Sequence, residues 1–78
     1  MREKKKCTVI SFDTTASAMA VERYCKAKGL PGRLIPIPRE ITAECGLAWR
    51  VPGESGAEVL AGLDAGGLEH GAVYELML

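Results

Sequence analysis

Two short stretches decide the fold: Arg33-Leu34-Ile35-Pro36-Ile37 and, a loop later, Leu47-Ala48-Trp49-Arg50-Val51. The second alternates large apolar residues at 47, 49 and 51 with Ala48 and Arg50, the period of a strand with one clearly buried face and Arg50 facing solvent. The first is apolar enough for a strand, but Pro36 has no N–H to donate to a ladder, so this strand belongs at a sheet edge. Two strands in direct succession in mid-chain then need partners on either side.

Those partners are legible outward in both directions. Cys7 to Phe12 is apolar or β-branched on both faces, bounded by lysines and by Asp13-Thr14-Thr15, the pattern of a central strand. Asp13 or Thr14 can cap the helix that follows, which presents Ala18, Val21 and Cys25 at i, i+3 and i+7 and stops at Gly29. Glu22, Arg23, Lys26 and Lys28 take the rest of its surface, with the basic residues near the C-terminal end, where they complement the helix dipole. Downstream, Ser55 and Glu58 have the spacing of a capping box opening a second helix, with Val59, Leu60 and Leu63 as its apolar face and Gly66-Gly67 at its end. Val73 to Leu78 supplies the last strand.

The order is therefore β-α-β-β-α-β. It predicts an α+β ferredoxin-like two-layer sandwich, with a four-stranded antiparallel sheet and two helices on one face. In that fold the second strand is an edge, in agreement with the independent argument from Pro36. The 78 residues suffice for one domain, 1–78, with residues 1–5 expected as a disordered basic tail.

Charge narrows the function classes. Ten basic and ten acidic residues cancel, but residues 1–6 hold four of the basics against Glu3, leaving six basics against nine acids, net −3, in the body. A nucleic-acid binder spreads positive charge over a face of its domain, and its RNA-recognition variant displays stacking aromatics; one Phe, two Tyr and one Trp do not supply that pattern. Trp49, on the strand face with Leu47 and Val51, is expected in the core. No apolar run approaches the roughly 18 residues of a membrane span. The apolar run ends at Asp13, short of the roughly 7–15 residues of a signal-peptide core. With three widely spaced cysteines, an odd count, the expectation is reduced thiols in a cytoplasmic protein.

No Cys-x-x-Cys and a single histidine, His70, expected exposed in the turn before the last strand, leave no metal or cofactor set. The glycine-rich stretches 53–56 and 62–67 lack the motifs of a phosphate loop or a dinucleotide turn, so they are turns and caps. Cys7 and Cys25 fall on a predicted strand and on a buried helix stripe, and both are assigned to the core.

Cys45 stands apart, within Pro38-Arg39-Glu40-Ile41-Thr42-Ala43-Glu44-Cys45-Gly46, a connection longer than a tight hairpin needs. Gly46 permits a sharp turn whose amides, together with Arg39, could stabilise a Cys45 thiolate, the nucleophilic form. The alternative from the residues alone is a small, inert cysteine at a strand start.

The Thr14-Thr15 pair after Phe12, the Ala18 to Glu22 helix, Arg33-Leu34-Ile35-Pro36-Ile37-Pro38-Arg39-Glu40-Ile41, then Cys45-Gly46-Leu47-Ala48 and Val73-Tyr74-Glu75-Leu76 resemble the small bacterial selenium/sulfur carrier-like domains. The specific part is Pro-Arg-Glu-Ile followed by Cys-Gly. The departure is Trp49, where a smaller aliphatic residue is expected. The resemblance implies a carrier rather than a true enzyme, with Cys45 as the carrier thiol, Arg39 and Gly46 in its motif, no cofactor, and sulfur or selenium donor and acceptor proteins as partners. The other candidate is a non-catalytic interaction module that pairs through its sheet edge or open face, a second copy of itself included.

Overall fold

The computed structural model describes residues 5–41 and 46–77. The chain runs β1 (Lys6–Ser11), α1 (Thr15–Lys28), β2 (Arg33–Pro36), β3 (Leu47–Pro52), a 3₁₀ turn (Gly53–Ser55), α2 (Gly56–Ala65) and β4 (Val73–Met77). The four strands form one antiparallel sheet in the order β2-β3-β1-β4. This is the ferredoxin-like arrangement, with the proline-bearing β2 at one edge and β4 at the other.

Helix α1 forms where its signals lie. Thr14, not Asp13, is the cap: its backbone is extended and its Oγ1 accepts from the Ser17 N–H at 3.1 Å. Gly29 closes the helix in the left-handed conformation (φ 70°) and returns its N–H to the Cys25 carbonyl. Helix α2 starts differently from the sequence expectation. Ser55 makes no capping bond, because the 3₁₀ turn runs straight into the helix and holds Ser55 at φ −104°, ψ 2°. A capping side chain needs an extended backbone to turn back on the first amides, so the Ser55–Glu58 box does not form.

Both helices lie on one face of the sheet. Ala18, Val21 and Cys25 of α1 and Val59 and Leu63 of α2 bury against Ile10, Phe12, Trp49 and Val51, with Leu34, Leu47 and Leu60 packed at the margin. Trp49 is 2% exposed, and its indole N–H donates to the Pro31 carbonyl at 3.4 Å, so it is a core residue with its one polar atom satisfied. Gly56 allows α2 to approach the sheet: a Cβ there would lie 2.2 Å from Thr8 Oγ1. Cys7 and Cys25 are both fully buried.

The opposite face differs from expectation. Ala48, placed by alternation on a solvent side, is completely buried, and Arg50 is half-buried. A second apolar cluster covers that face, made of Cys7, Val9, Ala48 and Ile41, with Ile35, Ile37, Tyr74 and Leu76 packed against it. Strand period explains why these residues share a face: Cys7 pairs with Leu76, Val9 with Tyr74, and Ile35 with Ala48. Ile41 comes from outside the sheet.

Candidate functional site

The connection between β2 and β3 is held at both feet. Ile37 donates its N–H to the Gly46 carbonyl at 2.9 Å, extending the β2–β3 ladder by one bond and closing the neck. Gly46 stands at φ +75°, a conformation that costs an L-residue roughly 1–2 kcal/mol and glycine nothing. Within the loop, Pro38 opens a turn with Arg39-Glu40 at its corner, closed by the Ile41 N–H on the Pro38 carbonyl at 2.9 Å.

The turn directs Ile41 back onto the sheet, where it is 4% exposed within the second apolar cluster. Burying an aliphatic side chain of this size is worth about 1.5–3 kcal/mol, which offsets part of the turn's ordering entropy. The first half of the connection is thus a folded flap rather than a free loop. Its exposed corner carries Arg39 and Glu40.

Of the residues singled out in the sequence, Gly46 lies at the neck and Arg39 at the corner. Cys45 and the residues from 42 onward to it lie outside the described residues, as does any contact between Arg39 and the thiol. Cys7 and Cys25 sit in separate apolar clusters, on opposite faces of the sheet. Burial pushes the Cys25 thiol above its ordinary value, which disfavours the nucleophilic thiolate. The Cys7 Sγ donates to the Leu76 carbonyl at 3.4 Å. His70 is half-buried rather than exposed; its Nδ1 is 2.8 Å from the Gly71 carbonyl, which can only accept, so Nδ1 carries the proton. No group of three or more His, Cys, Asp or Glu able to hold a metal occurs among the described residues. Nor is any helix among them long and apolar enough to cross a membrane.

The sequence reasoning missed Ile41. Its signal was present as an apolar residue in a polar loop, but loop residues carry no period that says which surface they meet.

Fold and loop together define a ferredoxin-like domain whose distinguishing element is an anchored, cysteine-bearing connection between edge strand and third strand. The chain matches the family described as Putative Se/S carrier protein-like over residues 6–75, and it belongs to that family. The match takes in β1 to β3, the whole of the connection, α2 and the first three residues of β4. No curated protein and no solved structure matches the chain.

Proposed function

We propose that this protein is a cytoplasmic carrier of sulfur or selenium, with Cys45 as the carrier thiol and Arg39 and Gly46 as its supporting motif. The observation that carries the reading is the family match, which spans the connection containing Pro38-Arg39-Glu40-Ile41 and Cys45-Gly46. The anchored feet of that connection support it, since a carrier must present its thiol to two partners from a rigid base.

The chemistry balances without a cofactor. The Cys45 thiolate attacks the terminal sulfur of a donor persulfide, R–S–SH; the new S–S bond forms on Cys45 as the donor S–S bond breaks, and the donor leaves as R–S⁻. An acceptor nucleophile then attacks the terminal sulfur of Cys45–S–SH, takes it with its hydrogen, and restores the thiolate. A selenium atom in the terminal position follows the same course. Arg39 brings a guanidinium to the motif, a cation of the kind that favours a neighbouring thiolate.

Incubation of the purified chain with a persulfide donor, followed by mass analysis of its peptides, tests the reading. One added sulfur or selenium on the Cys45 peptide is expected, with none on the Cys7 or Cys25 peptides. A protein that acquires no adduct, or that keeps it after Cys45→Ser, is not a carrier of this kind.

One observation favours a second reading as an interaction module. Val73 and Met77 on the outer strand β4 are 42% and 54% exposed, two apolar side chains flanking Glu75 on one face of an edge strand. Light scattering of Val73→Lys against the parent would show an assembly formed through that edge as a loss of mass.

A further inference from the structure

Arg33 and Arg50 are direct partners in the β2–β3 ladder, on the face opposite the helices. Like charges placed directly opposite in this way oppose folding. Among the described residues neither arginine takes part in an ion pair; the two ion pairs there are Lys6–Glu75 and Lys26–Glu22. The pairing is conspicuous because residues 7–78 are acidic overall, with six basics against nine acids.

The two side chains line one cleft of about 340 Å³ together with Gly32 and Pro52. Arg50 also borders an adjoining cleft of about 500 Å³ that holds Lys5, Lys6 and a single carboxylate, Glu54. Lys6 is engaged by Glu75 at 3.1 Å, so three cations face one acid across the two clefts. The platform beneath Arg33 is firmly set. Gly32 stands at φ +130°, and a Cβ on it would meet the Trp49 indole at 2.3 Å, while the indole N–H holds the Pro31 carbonyl.

We propose that this cleft binds a tetrahedral dianion of the phosphate or sulfate class, gripped between the Arg33 and Arg50 guanidinium groups with Lys5 adding long-range attraction. Guanidinium is the side chain suited to such a ligand: its planar fork offers parallel N–H donors that match two oxygens at once. A bound dianion converts the repulsion between the arginines into two attractive contacts. The site is built from residues 5, 32, 33, 50 and 52 and does not rest on Cys45.

The test is calorimetric titration of the full chain at low ionic strength with inorganic phosphate, with sulfate, and with a glutamate-rich peptide. Saturable binding of both inorganic anions is expected. Arg33→Gln and Arg50→Gln should each weaken it about tenfold, the loss of one charge-assisted contact. Arg50→Lys should weaken it less, and Arg23→Gln on α1 should leave it unchanged. Arg33 is exposed, so Arg33→Gln leaves the core intact and should raise the melting temperature without phosphate while removing the increase phosphate gives the parent. Absence of saturable binding overturns the proposal, as does unchanged affinity in Arg33→Gln. Preference for the peptide over both inorganic anions would make the cleft a protein-docking site instead, and overturn it as well.

Discussion

The Ile37 N–H and the Gly46 carbonyl meet at 2.9 Å and close the neck of the β2–β3 connection, with Gly46 at φ +75°. Among the described residues a Cβ at position 46 would meet no heavy atom within 4 Å, so the demand for glycine there is set by its positive φ. Gly46→Ala should therefore cost about 1 kcal/mol, measured by urea unfolding. Gly32→Ala adds a collision with the Trp49 indole to its positive φ and should cost clearly more. Equal costs at the two positions would contradict this geometry.

Ile41 is the anchor of the flap. Its truncation to alanine removes a buried side chain from the second apolar cluster, and a loss of about 2–4 kcal/mol is expected. Limited proteolysis should show faster cleavage within residues 38–46 in Ile41→Ala, while Ile35→Ala at the half-buried margin costs less. If Ile41→Ala leaves both stability and cleavage unchanged, the flap is not held by this side chain.

Thr8 and Gly56 set the distance between β1 and α2, since a Cβ on residue 56 would fall 2.2 Å from Thr8 Oγ1 and 3.1 Å from its Cβ. Gly56→Ala should destabilise by about 1–3 kcal/mol through overpacking. In Thr8→Ala the nearest obstructing atom is gone, so the double variant should recover part of the loss. The interaction term of the double-mutant cycle reads that recovery directly.

Cys25 gives the stability a pH dependence on the alkaline side. Burial raises its thiol above the ordinary value of 9.0, so the unfolded chain loses this proton at lower pH than the folded one. The contribution is complete below about pH 9, where both states are protonated, and is lost as pH rises through the folded value. Denaturation between pH 7 and pH 11 should show that decline, and Cys25→Ala should reduce its slope while lowering stability at neutral pH. An unaltered slope in the variant would assign the decline to other groups.

The helix-facing core was legible because it is periodic. Ala18, Val21 and Cys25 repeat at helical spacing, Leu47, Trp49 and Val51 at strand spacing, and each period names the buried side without knowledge of its partner. Pro36 marked the edge strand by a missing donor. The capping signal at Ser55 misled because a 3₁₀ turn upstream took the backbone out of capping geometry, a decision made by how β3 runs into α2.

Of the connection that carries Cys45, the sequence determined the content: a stretch longer than a tight hairpin needs, holding Arg39, and a cysteine followed by a glycine before β3. Only the tertiary structure decided that Ile41 folds back onto the second face beside Ala48, making the first half of the connection an anchored flap. It alone set Arg33 opposite Arg50, because strand register joins residues far apart in the chain. Local pattern shows which side of an element is apolar; what covers that side depends on contacts that form only when distant segments meet.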